Sequence, residues 1–434
     1  MKLKMSEEKV IVQGIRPEEE LWGAYQFPFP YKLSDGLAVS VHISTDSIEH
    51  FRQDTKRWFK SIDNGENWFE VDRSISAECG MLLPNGDRLF FPQIGSIDVK
   101  GYENTPLRFR LPNTDMTERA EEGVIPLPDG LTYDFGGNII YGYDADRLPP
   151  SLGKKEWTAF RIPAGENEAV DEKVALDWPC LTRVIYKRGE KSIMRPLFPH
   201  GRARMGPDGA IWISTYTGDG HIDPYTGRYS PYYGAVILRS EDNGHTFKMH
   251  AHMGYPADGS EEYPYLSGGF SDNDFEFMPD GSIVWFMRSA WHGKTSYEWA
   301  PMYMCRSTDG GATWTKPKKF APTGMFPSIC TLTSGETLIC YARPGVFVVG
   351  CDDGKGEEWC EPLEVMTPDD RSHLANVKPK RVSFHDWDGA CNNPQLLALD
   401  DGSALLFYSD FYYPDSEGVK RKSILCRRIT VEKD

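Results

Sequence analysis

Acidic and basic side chains stand at the ends of several short β-rich segments in this 434-residue sequence. Asp272 and Asp274 stand where one segment begins, and Arg288 stands where the next one ends. Cleavage of a glycosidic bond requires paired carboxyl groups, and the planar fork of an arginine suits a carboxylate. These residue types suggest a site for an acidic ligand if the fold brings the segment ends together.

The octet at 307–314 is the first of two repeated turn signals. Ser307 and Asp309 can hydrogen-bond the turn backbone, the two glycines allow positive φ, and Trp314 can anchor the returning strand. The octet therefore predicts a turn that closes a β-hairpin. Further copies lie at 61–68 and 240–247, with a decayed fourth copy at 351–359.

The second signal is a glycine-containing turn between two apolar runs, which predicts another hairpin. One hairpin of each kind makes a four-stranded unit, and units recur about every 40–60 residues. This pattern predicts an all-β fold, a six-bladed β-propeller that forms a single domain over 1–434. The stretch around 93–198 has no octet and holds either a long insertion or an extra blade, so seven blades are the alternative. The glycine turns lie at 81–86, 205–209, 277–281, 332–335 and 399–402.

Composition excludes several classes of partner. A net charge of -16 argues against nucleic acid, which needs a basic stripe. No stretch reaches the ~18 apolar residues of a membrane span, and residues 1–13 lack the apolar core of a signal peptide. The nine cysteines are scattered without a CxxC pair, which indicates core residues in a reducing compartment. We expect a cytoplasmic protein without a cofactor or metal, and its oligomeric state stays open.

In a propeller of this type, the glycine turns and octets share one face. Polar residues at the other ends of the first and second strands then surround the central channel. Arg202, Arg288 and Arg343 come from three blades, and each needs either an anionic ligand or an acidic partner within the fold. The beginnings of first strands offer Glu78, His200, Arg202, Asp272, Asn273, Asp274, Asp388, Asn392 and Asn393. The ends of second strands offer His42, Asp46, His50, Tyr216, Asp219, His221, Arg288, His292, Arg343, Asp410, Tyr412 and Tyr413.

The octets resemble the Asp-box, or bacterial neuraminidase repeat, of the sialidase superfamily, where the box is structural. The segment 271–314 is similar to a sialidase blade, with an acidic residue that begins the first strand and an arginine that ends the second. By this resemblance Arg288 and Arg343 match the second and third arginines of the carboxylate-binding triad. Asp272 or Asp274 matches the glutamate that assists the nucleophile.

The sequence departs from the sialidase pattern at three places. The segment 25–31 lacks the first arginine of the triad, and the Arg161 motif at 160–164 is interpreted as a coincidence. No tyrosine stands at 388–392, where sialidases carry the nucleophile. Asp46 or Asp54 stands where the acid/base aspartate falls, and the spacing does not choose between them.

We therefore predict a sialidase-like glycoside hydrolase that releases a terminal acidic sugar, of sialic or uronic acid type, from an oligosaccharide. A lyase that acts on a uronate-containing glycan is the second hypothesis, with a His or Tyr as its base. A glycan-binding propeller without catalysis is the third, favoured if the acidic residues prove buried in ion pairs. His250 and His252 would share one face of a strand, but without a third ligand a metal site is not expected.

Predicted catalytic residues are Asp272, Asp274, Asp46, Asp388, His292 and Tyr412, with Asp410, His200, His221 and Tyr413 in the wider pool. Predicted substrate-binding residues are Arg202, Arg288, Arg343, His200, Asn392 and Asn393.

Overall fold

The computed structural model describes a chain built almost entirely of β-strands. It describes residues 1–14, 24–44, 56–91, 97–98, 109–111, 139–188, 191–194, 202–218, 221–227, 229–230, 232–264, 267–291, 301–342, 345–367 and 393–432. Two short 3-10 helices span Arg73–Cys79 and Ala145–Arg147. Among these residues there is no helix with the length and apolarity needed to cross a membrane.

The strands follow one another in short segments. They are β1 (Lys2–Met5), β2 (Lys9–Gln13), β3 (Ala24–Leu33), β4 (Gly36–Ser44), β5 (Lys56–Ser61), β6 (Phe69–Val71), β7 (Met81–Leu82), β8 (Arg88–Phe90), β9 (Ile97–Asp98), β10 (Phe109–Leu111), β11 (Ile139–Asp144), β12 (Glu156–Ile162), β13 (Val170–Asp177), β14 (Thr182–Arg188), β15 (Lys191–Met194), β16 (Arg204–Met205), β17 (Ile211–Tyr216), β18 (His221–Ile222), β19 (Tyr229–Ser230), β20 (Gly234–Ser240), β21 (Thr246–Gly254), β22 (Ser267–Phe277), β23 (Ile283–Trp291), β24 (Met302–Ser307), β25 (Lys318–Ala321), β26 (Met325–Thr331), β27 (Thr337–Ala342), β28 (Val346–Cys351), β29 (Leu363–Met366), β30 (Gln395–Ala398), β31 (Ala404–Pro414) and β32 (Lys420–Glu432).

Four consecutive antiparallel strands form the repeating sheet. The strands β3 to β6, β22 to β25 and β26 to β29 each make one such sheet. Two further sets, β7-β8-β12-β13 and β16-β17-β20-β21, join edge to edge through the parallel pair β13 and β21. The sheet β30 to β32 is completed by the N-terminal strands, since both β1 and β2 pair with β32. The two ends of the described chain therefore share one sheet.

The stretch around 93–198, where the sequence predicted either an insertion or an extra blade, contributes strands to a separate sheet. Its five strands run in the order β10-β11-β14-β15-β9. These strands come from both sides of β12 and β13, which belong to the eight-stranded sheet. A small ribbon of β18 and β19 extends from the loop between β17 and β20.

Each octet links the third and fourth strands of its sheet through the same hydrogen bonds. In the first, the Gly65 amide donates to Ser61 Oγ at 2.8 Å and the Asn67 amide donates to Asp63 Oδ1 at 2.9 Å. The Trp68 indole donates to the Gly65 carbonyl at 3.1 Å. The two amide bonds recur in the octets that begin at 240 and 307, and Trp314 repeats the indole bond, whereas Phe247 takes the place of the tryptophan in the octet at 240. In the fourth copy Cys351 takes the place of the serine, and its thiol lies 2.8 Å from Asp353 Oδ1.

The core lies between adjacent sheets. Phe286 of β23 and Ile329 of β26 are fully buried in one apolar cluster between their two sheets. Trp212 of β17 and Trp285 of β23 share another cluster in the same way. Because the sheet faces are used for packing, the polar groups available for chemistry are those at the strand ends.

Candidate functional site

Four sheets place one residue at an equivalent position near the beginning of the first strand. Phe27, Asp272, Phe326 and Asn393 stand the same number of residues before the glycine of the following turn. Three of them have positive φ, at 51° for Phe27 and Phe326 and 36° for Asn393. Such φ values are costly for residues other than glycine and concentrate at functional sites. The recurrence marks these strand ends, opposite the glycine turns, as the candidate site.

Five side chains form a continuous group there, which we call the strand-end cluster: Phe27, His42, Asp272, Arg288 and Phe326. Arg288 Nη1 donates to Asp272 Oδ2 at 2.6 Å, and its guanidinium carbon lies 5.9 Å from the Phe326 ring centroid. The Phe326 and Phe27 rings meet edge to face at 5.7 Å, and Phe27 meets the His42 ring at 5.9 Å. The side chains of Asp272 and Arg288 are each 12% exposed, so the pair keeps a small contact with solvent.

Electrostatics keep the histidine of this cluster neutral. Burial, together with the positive charge of Lys56, lowers the pKa of His42 to about 3. The imidazole is therefore uncharged at neutral pH, and the Asp272–Arg288 pair supplies the charges of the cluster.

Several buried polar atoms of the cluster, of its neighbour Gln26 and of the equivalent strand-end residue Asn393 lack a hydrogen-bond partner among the described residues. They are Gln26 Oε1, Arg288 Nε and both amide atoms of Asn393. Gln26 pairs with His42 across β3 and β4. Buried polar groups are normally satisfied, so these atoms indicate where water or a ligand binds.

Asp274 does not share the position of Asp272. A register shift between Phe270 and Asn273 interrupts the alternation of β22. Asp274 is held by Arg204, whose Nη1 and Nη2 donate to its two oxygens at 2.5 and 3.0 Å. This bidentate pair spans two sheets, so the structure gives Asp274 the geometry of a buried brace.

Arg202 and Arg161, two other arginines named in the sequence analysis, have partners within the fold. Arg202 donates to the Leu396 carbonyl and to Gln395 Oε1, and burial lowers its pKa. Arg161 pairs with Glu172 at 2.6 Å and with Asp87 at 3.1 Å. Of the predicted substrate-binding arginines that the structure describes, Arg202 and Arg288, only Arg288 belongs to the strand-end cluster.

Two more predicted residues lie on β31. The Tyr412 amide donates to Asp410 Oδ1 at 2.8 Å, and Lys420 Nζ lies 5.4 Å from the Tyr412 ring centroid. Both Asp410 and Tyr412 are buried. Seven further residues named in the sequence analysis lie outside the described part of the chain: Asp46, Asp54, His200, His292, Arg343, Asp388 and Asn392.

The two histidines of β21 turn to different neighbours. Ile237 pairs with Ala251 and Leu238 with Met249, so His250 is the extra residue of a bulge. His250 Nε2 lies 2.8 Å from the Gly310 carbonyl, whereas His252 meets His221. The prediction that His250 and His252 share one face of the strand is therefore wrong, because the bulge at His250 interrupts the alternation.

His221 and His252 form a second titratable cluster with Asp223, away from the strand-end cluster in sequence. Burial, with the neighbouring His252, lowers the pKa of His221 to about 3. Burial lowers the pKa of His252 to about 4, although Asp223 opposes the shift. The sequence signalled no third ligand for His252, because Asp223 lies in a different segment and reaches it only through the fold.

The constant spacing from the strand ends to the turn glycines is a sequence signal that identifies part of the strand-end cluster. Phe27 and Phe326 become candidates once positions are counted back from the turn glycines. Arg204 gave no comparable signal, because its partner Asp274 lies on another sheet.

No family model matches the chain, and no curated protein matches it. Among solved structures, it is similar to a protein of unknown function from Dyadobacter fermentans, with a TM-score of 0.51, 16% identity and 99% of each chain covered. It is also similar to the NanB sialidase from Streptococcus pneumoniae, with a TM-score of 0.43, 13% identity and coverage of 98% of this chain and 70% of that one. A third is the GH93 α-L-arabinofuranosidase of Fusarium graminearum, with a TM-score of 0.44, 12% identity and 97% of each chain covered.

The likeness to the Dyadobacter fermentans protein, at a TM-score of 0.51, is a likeness of fold. At 16% identity this likeness carries no conclusion about function.

Proposed function

We propose that the protein is a glycoside hydrolase that binds its glycan at the strand-end cluster. The observation that carries this proposal is the partly exposed ion pair of Asp272 and Arg288, set against the Phe326 ring. A sugar hydroxyl both donates and accepts hydrogen bonds, so it can bridge a carboxylate and a guanidinium. The apolar face of a sugar ring can contact Phe27 and Phe326.

Hydrolysis needs two carboxyl groups on either side of the bond. Asp272 is our candidate for one of them. Asp274 is bound by Arg204 and is a poor candidate for the other. Asp410, Asp46 and Asp388 stay in the pool for the second role.

The Asp272–Arg288 ion pair favours some sugar groups over others as ligands. The carboxylate of an acidic sugar must compete with Asp272 for Arg288, whereas a neutral hydroxyl binds without separating the pair. We therefore propose that sugar hydroxyls contact the pair, and that an acidic sugar, if it is the substrate, places its carboxylate at Asn393 or at residues outside the described part of the chain.

We further propose a single six-bladed propeller. The strands β7, β8, β12 and β13 supply a second blade, and β9 to β11 with β14 and β15 are then an insertion around it. The N-terminal strands on β32 would close the ring.

A binding protein without catalysis is the second candidate. It is favoured by the observation that all three acidic residues of β22 are engaged in ion pairs, Asp272 with Arg288, and Asp274 and Glu276 with Arg204. Both candidates bind a glycan, but only the hydrolase cleaves it.

The test is to assay wild type and Asp272→Asn with sialosides, uronate-containing oligosaccharides and neutral arabino-oligosaccharides. Reducing ends report hydrolysis, and the ultraviolet absorbance of an unsaturated uronate reports elimination. Asp280→Asn is the matched control, since Asp280 pairs with Arg306 at 2.6 Å at the turn end of the same hairpin.

We expect reducing ends without absorbance and a loss of about 100-fold or more in kcat for Asp272→Asn alone. New absorbance would replace the hydrolase with the lyase hypothesis. Binding that depends on Asp272 without turnover, measured by calorimetry, would establish the second candidate. A protein that neither binds nor cleaves any of these glycans would refute both.

A further inference from the structure

A pair of buried imidazoles lies outside the strand-end cluster. His221 of β18 and His252 of β21 bring their Nε2 atoms to 3.0 Å from each other. The His252 side chain is 1% exposed, and the carboxylate of Asp223, just after β18, lies beside it. The pair thus joins the β18–β19 ribbon to a strand of the eight-stranded sheet.

The hydrogens of these imidazoles can be assigned from their neighbours. His221 Nδ1 lies 2.9 Å from the Tyr232 carbonyl and 3.2 Å from Thr217 Oγ1; the nearer carbonyl can only accept, so Nδ1 carries the hydrogen. His221 Nε2 then presents a lone pair toward His252. His252 Nδ1 has no hydrogen-bond partner among the described residues, and Asp223 Oδ2 lies 3.6 Å from it.

Neither neutral form of His252 satisfies this arrangement. With its hydrogen on Nε2, His252 donates to His221 but leaves a buried Nδ1 lone pair beside a carboxylate. With its hydrogen on Nδ1, two Nε2 lone pairs face each other at 3.0 Å. A cation bound by both Nε2 atoms removes the repulsion and compensates the Asp223 charge.

We propose that His221, His252 and Asp223 bind a divalent transition-metal ion, with zinc as the best match. Two imidazoles and a carboxylate are a common zinc ligand set. One ligand atom from each residue lies within 4.8 Å of the others. Zinc bonds of about 2.0–2.2 Å place ligand atoms about 3.3–3.5 Å apart, so on binding the two Nε2 atoms must separate from 3.0 Å and the three ligand atoms must draw together from a spread of up to 4.8 Å.

Gly234 lies directly beside the two nitrogens, where only a residue without a Cβ atom fits. A Cβ atom at this position would lie 2.4 Å from His252 Nε2 and 3.2 Å from His221 Nε2. The Tyr232 carbonyl on His221 Nδ1 is also the kind of second contact that orients a metal-bound histidine. Burial of both imidazoles indicates a structural metal that fastens the ribbon to β21.

The experiment titrates zinc chloride into the EDTA-treated full-length protein by calorimetry, and records the visible spectrum after cobalt(II) addition. His252→Gln removes a ligand at similar volume, and His250→Gln is the matched control on the same strand. Asp223→Asn keeps both imidazoles, and circular dichroism checks the fold of every variant.

We expect one zinc ion per chain for the wild type and for His250→Gln, with ligand-field bands from cobalt. Affinity should fall by about 100-fold in His252→Gln and by about 10-fold or more in Asp223→Asn. If His252→Gln does not fold, the Asp223→Asn result decides. A wild-type protein that binds no zinc, or variants that bind it as tightly as the wild type, would show instead a hydrogen-bonded histidine pair.

Discussion

Replacement of Asp274 by asparagine should destabilise the fold strongly. Its Oδ1 accepts from Arg204 Nη1 at 2.5 Å and from the Phe275 amide at 3.0 Å. Its Oδ2 accepts from Arg204 Nη2 at 3.0 Å and from the Ile329 amide at 3.1 Å. Both carboxylate oxygens therefore face donors, and three sheets are joined through this one side chain.

The size of the loss in free energy of unfolding follows from these four hydrogen bonds. An asparagine NH2 must replace one of the two oxygens, so in either orientation it faces two donors. Arg204 would also lose its closest counter-charge while only 12% exposed. Removal of one partner of a buried ion pair costs about 3–5 kcal/mol, and we expect a loss of that size in the free energy of unfolding.

Urea denaturation followed by circular dichroism measures this loss. Glu276→Gln is the control, because its single contact with Arg204 is longer, at 3.4 Å, and its loss should cost about 1 kcal/mol. If Asp274→Asn costs no more than Glu276→Gln and instead abolishes turnover, Asp274 has a catalytic role and our interpretation of it as a brace is wrong.

Two further predictions concern the backbone and acid stability. Gly269→Ala should destabilise the fold by about 2 kcal/mol more than Gly281→Ala, as measured by denaturation. Both glycines have positive φ, but a Cβ atom on Gly269 would lie 2.4 Å from the Tyr233 carbonyl oxygen, whereas one on Gly281 would have nothing within 4 Å. Equal losses would contradict this packing argument. The side chain of Asn67, then its amide and Ser61, lower the pKa of Asp63 to about 2. This contribution to stability is complete above about pH 4 and is lost as the pH falls through about 2. Melting temperatures between pH 6 and 2 should therefore fall less steeply in Asp63→Asn than in the wild type. Parallel curves of melting temperature against pH for the two proteins would contradict this contribution of Asp63 to stability.

Local turn chemistry explains how much of the fold could be predicted. The octet bonds join residues at most a few positions apart, such as Ser61 to Gly65 and Asp63 to Asn67. Serine, aspartate and glycine specify such turns without help from distant residues. The alternation of two kinds of turn then implied four-stranded antiparallel units, which the described sheets contain.

Strand alternation failed as a guide to the site, because bulges interrupt it. The register shifts of β3, β21, β22 and β26 lie close to Phe27, His250, Asp272 and Phe326. A bulge changes the direction of a side chain without a reliable sequence signal.

The sequence by itself determined the β-rich composition, the repeated turns and the residues available at the strand ends. Only the tertiary structure decided which of them meet: Asp274 with Arg204, Asp272 with Arg288, and His221 with His252. The physical reason is that an ion pair or an imidazole pair depends on distances of about 3 Å between separate strands. Those distances are set by how sheets pack and where bulges fall, which no short stretch of sequence encodes.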